Sequence, residues 1–104
     1  MYPACLGKHL SKSSFFYVLV HANLIPCWHP ARWEVERIKR EENYIEILGN
    51  PLITAKGLAR DKIIRVCGAY KSLCVEDQLV ALQKAGYHAV LYREATIHFL
   101  YSVT

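Results

Sequence analysis

Residues 61–92 read DKIIRVCGAYKSLCVEDQLVALQKAGYHAVLY. Three patterns follow one another in this stretch. Residues 62–70, KIIRVCGAY, are a nearly continuous apolar run and predict a buried strand. A helix is predicted next, opening at Lys71 or Ser72 and ending at Lys84. Leu73, Leu79, Val80, Leu82 and Ala85 recur there at helical spacing, while Glu76, Asp77 and Gln83 fall outward. Gly86 supplies a C-terminal stop. Residues 88–92, HAVLY, form the next strand. A strand, a helix and a strand in this order make a βαβ unit, which is right-handed with parallel strands. The predicted fold is α/β, a small three-layer α/β/α arrangement with a mostly parallel sheet.

The rest of the chain is read outward from that unit. Residues 15–21, FFYVLVH, are aromatic and β-branched throughout, as in a strand buried on both faces. Pro26 and Pro30 make residues 23–30 a loop. Residues 33–40 give no clean strand alternation, and their charges equally suit a helix. Residues 44–48 suit a short strand or a helical turn. Asn50 and Pro51 form a good helix cap and first position, so a short helix is expected from Leu52 to the neighbourhood of Gly57 or Arg60. Residues 1–14 read as a loose N-terminal arm. No internal repeat and no low-complexity tract interrupts the single domain, residues 1–104.

Length and composition narrow the function. The 104 residues suffice for one domain, with 53% hydrophobic and 21% charged residues, a globular balance. Seven tyrosines and two tryptophans exceed what so short a core needs, and amphipathic aromatics favour interfaces. A net charge of +4 comes from scattered Lys and Arg, with one short run at Arg37-Ile38-Lys39-Arg40 that Glu41 and Glu42 follow at once. No broad basic stripe carries interleaved aromatics, so nucleic acid is not an expected partner. No run of about 20 apolar residues is present, which argues against a membrane span. No basic n-region with an apolar stretch and cleavage site opens the chain. The four cysteines, Cys5, Cys27, Cys67 and Cys74, form no C-x-x-C pair. Reduced thiols in a cytoplasmic protein are therefore expected. The stretch Cys27-Trp28-His29 does not match a recognised ligand set, and neither a metal nor a cofactor is expected.

Residues 61–96 carry a resemblance. The apolar strand ending at Gly68, the turn, Cys74-Val75, the helix ending in Gly86-Tyr87, the strand and the close Glu94-Ala95-Thr96 resemble the C-terminal core of the isochorismatase-like cysteine hydrolases. Upstream, IKREENYIEILGNPL is similar to the family's segment around its catalytic lysine, with Lys39 standing 35 positions before Cys74. The resemblance spans roughly residues 38–96. It implies a truncated isochorismatase/Rossmann-like fold and hydrolysis of a C–N bond in a small amide through a thioester at Cys74, assisted by Lys39. The family's general base is an Asp at the end of its first strand, and no Asp precedes Asp61. The strand at residues 15–20 ends in His21, with Asn23 close by. It is aligned with the family's second strand on this reading, which leaves the first strand without a counterpart.

The chemistry at such a site is definable. A cysteine attacks as thiolate, which a helix N-terminus or a nearby cation favours. Cys74 falls in the first helical turn, where orphan N–H groups and the dipole favour negative charge. Lys71 lies three residues upstream. The backbone around Tyr70, Lys71 and Leu73 is the candidate oxyanion-binding element, and His21 is a candidate base beside Glu41 and Glu42. The alternative for Cys74 is a small apolar residue packed under the helix, since free Cys is often buried. The function expected from these residues is a cysteine-dependent hydrolase of a small-molecule amide or related C–N substrate. The alternative is a degenerate, non-catalytic relative acting as a binding or assembly module. An incomplete sheet has exposed edges, so a homo-oligomer is expected in either case.

Overall fold

A computed structural model describes residues 14–49, 58 and 60–98. Most of the arm at residues 1–14 and nearly all of the short helix expected from Leu52 lie outside the described residues.

β1 (Phe15–Val20) is the strand around which the sheet is built. It pairs in parallel with β2 (Tyr44–Ile47) on one side and with β3 (Ile63–Ala69) on the other. β4 (His88–Ile97) extends the sheet beyond β3, also in parallel, giving the order β2-β1-β3-β4. Tyr17, Val18, Leu19 and Val20 are all buried, which explains their uninterrupted apolar sequence. The predicted small α/β fold with a parallel sheet is what the chain adopts.

Successive strand residues point to opposite faces, and two cores result. Tyr17, Leu19, Cys67, Ala69, Ala95 and Ile97 face one side. Val18, Val20, Ile47, Ile64, Val66 and Ala89 face the other. Helix α1 (Pro30–Glu41) covers the first side through Ala31, Val35 and Ile38, and α2 (Cys74–Lys84) covers the second through Val75 and Leu82.

The sequence left residues 33–40 between helix and strand. They are helical because Ala31, Val35 and Ile38 are spaced four and three apart and close one core, while Trp33 stands outside. Pro30 opens α1 at a position where a missing N–H costs nothing, and the His29 Nδ1 accepts from the Ala31 N–H at 3.0 Å. The helix at α2 begins at Cys74, later than the predicted Lys71 or Ser72. It ends as predicted: the Gly86 N–H donates to the Gln83 carbonyl at 3.1 Å and the Tyr87 N–H to the Leu82 carbonyl at 3.0 Å. That pair of bonds requires the positive φ of 94° at Gly86.

β4 runs five residues past its predicted end at Tyr92. The alternation is hidden in sequence by a bulge: Val66 pairs with Leu91 and Gly68 with Thr96, so residues 92–95 face a single residue of β3. The Thr96 hydroxyl donates to the Tyr92 carbonyl at 2.6 Å across this excursion. Gly68 lies beside it with φ 121°, and a Cβ there would run into the Val20 carbonyl. Only glycine lets β3 approach β1 so closely.

Candidate functional site

The chain leaves β1 toward β2 on one side and leaves β3 toward β4 on the other, with α1 and α2 on opposite faces. β1 and β3 therefore flank a topological switch point, where open α/β sheets bind ligands at the carboxyl ends of their strands. Two of the sequence-predicted elements meet at this edge. His21 follows Val20, whose partner across the sheet is Gly68. Tyr70, Lys71, Leu73 and Cys74 follow Gly68 by two to six residues. His21 sits in the left-handed region at φ 49°, with its N–H on the Ile47 carbonyl at 2.8 Å, and is half-buried. This tether between the β1 and β2 ends fixes the backbone from which the imidazole projects.

Cys74 is the first residue of α2 and is half-buried. One side of it packs on the apolar cluster of Val18, Val20 and Val66. Both readings of this cysteine thus describe part of its surroundings: it packs, and it retains solvent access. The turn before it is tightly bonded. The Tyr70 carbonyl accepts from the Leu73 N–H at 3.0 Å and the Val75 N–H at 3.2 Å, while the Lys71 N–H donates to the Ile97 carbonyl at 2.8 Å. Two of the expected oxyanion donors, the N–H groups of Lys71 and Leu73, are consequently committed to the fold. Among the described residues, the N–H groups of Ser72 and Cys74 have no backbone partner. The free donors are neighbours of those expected, because the turn bonds every second amide inward. The Tyr70 side chain is half-buried and packs toward the α1 face, away from the α2 cluster.

Lys39 is not brought to Cys74. It lies in the last turn of α1 and pairs with Glu46 of β2 at 3.1 Å. Each crossover helix runs against the strands, so the end of α1 and the start of α2 lie at opposite ends of the sheet as well as on opposite faces. A spacing in sequence carries no such information. Glu41 and Glu42, the other base candidates, share the end of α1, where both pair with Arg37.

Cys67 provides the contrast within the same chain. It is fully buried and its thiol lies 3.8 Å from the Val18 carbonyl. Burial, then the negative charge of Glu34, pushes its pKa up, and Arg65 counters only in part. A thiol held protonated in this way is a core residue.

Sequence reasoning missed Gln78. It is only 1% exposed, and its side-chain oxygen has no hydrogen-bond partner. The available signal was positional: Gln78 follows Cys74 by one helical turn and falls between Val75 and Leu82 on the sheet-facing side. Beside α2, toward β4, a groove of about 220 Å3 is lined by Lys71, Ser72, Glu76, Leu79 and Leu91. Neither Cys74 nor His21 lines it. Among the described residues no group of three or more His, Cys, Asp or Glu could hold a metal ion, and no helix is long and apolar enough to cross a membrane. Comparison of the chain with protein-family models, curated proteins and solved structures finds no match.

Proposed function

We propose that the chain is an isochorismatase-like hydrolase of a small amide or related C–N substrate, with Cys74 as nucleophile and His21 as base. The observation that carries this reading is the switch point. It gives His21, Lys71 and the start of α2 a common edge at the carboxyl ends of β1 and β3. His21 follows a strand paired directly with the one that leads to Cys74. On this reading it takes over, from a different strand, the proton-transfer role that the family gives to an Asp. Lys39 has no part in this mechanism.

In the proposed reaction His21 takes the thiol proton as the sulfur attacks the carbonyl carbon. The N–H groups of Ser72 and Cys74 stabilise the oxyanion, and the Lys71 ammonium adds positive charge. The proton passes to the departing nitrogen, leaving a thioester that water cleaves. A positioned general base contributes about 10²–10⁴-fold. The test is turnover across a panel of small amides, with the acyl-enzyme trapped and weighed by mass spectrometry. Cys74→Ala should abolish both turnover and the adduct, and His21→Gln should slow acylation by about that factor. Undiminished turnover in Cys74→Ala would end the proposal.

A second reading is a non-catalytic assembly module in a cytoplasmic homo-oligomer. The placement of Lys39 on Glu46, far from the thiol, supports it, as do the exposed side chains of Trp28 at 60% and Trp33 at 68%. Sedimentation distinguishes the two: this reading needs a stable oligomer that Trp33→Glu dissociates, and a monomer at all concentrations contradicts it.

A further inference from the structure

We infer that Gln78 is a specificity-determining residue beside Cys74: its side-chain oxygen accepts a hydrogen bond from the ligand, which is therefore a primary or secondary amide carrying an N–H. This rests on the reading of Cys74 as an amide-directed nucleophile and adds to it the form of amide that is accepted.

The argument begins from an unmet requirement. Buried polar side-chain atoms in folded proteins nearly always have a partner, yet Gln78 is 1% exposed and its oxygen has none. Its neighbours on the helix, Val75 and Leu82, lie in an apolar cluster with Val18, Val20 and Val66, and none of these side chains donates a hydrogen bond. A trapped water would need two to four polar partners; the polar side-chain groups of this cluster are the Tyr87 hydroxyl and the Cys74 thiol, and neither bonds the Gln78 oxygen.

The direction of the side chain supplies the second half. On a helix the Cα–Cβ bond tilts toward the N-terminus, so a residue covers the turn before its own. Gln78 therefore leans back over the turn that contains Cys74, four residues earlier and on the same flank. An acceptor at this place meets a donor on whatever group the thiol attacks. An amide presents its carbonyl carbon to sulfur and its N–H one atom further, so a single ligand can engage both residues. A tertiary amide or an ester has no such donor and leaves the Gln78 oxygen unmet. Discrimination of this kind arises when a site's buried polar group goes unpaired with the wrong ligand.

The test uses two alkylating probes that differ only in the N–H: iodoacetamide and 2-iodo-N,N-dimethylacetamide. With either, the Cys74 thiolate displaces iodide and forms a thioether that peptide mass mapping locates. Rates are divided by those of glutathione with the same probe, which removes intrinsic reactivity. The expected result is a preference of Cys74 for iodoacetamide of about 3- to 10-fold, the worth of one hydrogen bond, lost in Gln78→Met. A ratio equal to that of glutathione overturns the inference, as does a preference that persists in folded Gln78→Met. If Gln78→Met does not fold, Gln78→Asn serves, since it withdraws the oxygen by one methylene and should also lose the preference. The outcomes are separable from those of the hydrolase reading. Amide turnover without probe preference overturns the role of Gln78 alone. Probe preference without turnover supports that role and removes the hydrolase.

Discussion

The two faces of the sheet solve the same burial problem with different chemistry. On the α1 face, Arg37 donates to Glu34 at 2.6 Å and Glu42 at 3.1 Å, and the Tyr92 hydroxyl donates to Glu34 at 3.0 Å. Arg65 donates to the Tyr17 hydroxyl at 2.8 Å and lies 3.7 Å from the Phe15 ring centre. Tyr17 and Tyr92 meet edge to face at 5.5 Å. Burial works against the Arg37 charge, but the bonds to Glu34 and Glu42, then Tyr92 and Tyr17, outweigh it and raise its pKa. The α2 face has no such network among its described residues. Its cluster is mainly apolar: the polar groups there are Tyr87, whose ring lies 4.3 Å from the Arg60 guanidinium, the half-buried Cys74 and the Gln78 side chain, whose oxygen has no partner. The difference teaches that polarity itself does not mark a site. A satisfied polar cluster fastens a helix; a buried oxygen without a partner keeps the cost of its lost hydration.

The largest expected effect falls on the seam between the two faces. Gly68→Ala forces a Cβ into the Val20 carbonyl at a φ of 121°, combining backbone strain with overpacking. A loss of roughly 3–5 kcal/mol is expected in urea unfolding, and a loss below about 1 kcal/mol would show that the β1–β3 approach is not tight. Next is the α1 face. Arg37→Met leaves Glu34 and Glu42 without their cation and should cost about 2–3 kcal/mol, as for hydrogen bonds to charged groups. A neutral result would reduce the network to surface pairs.

The two thiols give the third test. The raised pKa of Cys67 means that folding favours its protonated form. Its contribution is whole below the unfolded-state pKa, about 8.5, and is lost as pH rises above that value. Stability should fall by up to about 1.4 kcal/mol per pH unit between pH 9 and 10. In Cys67→Ala that slope should flatten; an unchanged slope assigns it elsewhere. The smallest effect has the opposite sign. Gln78→Met removes an orphaned acceptor and should stabilise by about 1 kcal/mol, read as a raised denaturant midpoint. Destabilisation would mean that the oxygen has a partner after all.

The legible parts of the fold share a property: their local pattern and their tertiary environment agree. In β3, α2 and the start of β4 the apolar spacing matches the burial, and Gly86 marks the stop at a conformation that other residues resist. α1 was ambiguous because its buried face is narrow. Ala31, Val35 and Ile38 must be recognised against Trp33, a large aromatic that points outward. The end of β4 was illegible because the bulge at residues 92–95 breaks the alternation by which a strand is read. At the candidate site, Cys74 was legible as a residue at a helix start. The distance between Lys39 and Cys74 was not, since topology alone assigns them to opposite faces. Gln78 escaped notice because a polar residue on a helix is ordinarily solvated, and only tertiary burial makes its oxygen unusual.

The excursion at residues 92–95 has a consequence for how the molecule behaves in a crowded solution. Among the described residues β4 is a border of the sheet, and a straight ten-residue border would offer a foreign strand a long row of unmatched amides and carbonyls. The bulge divides that row, leaving His88–Leu91 as its straight portion. Four residues make a weak template for runaway strand addition. The same detour that lets Tyr92 reach α1 thereby guards the longest strand against fibre growth.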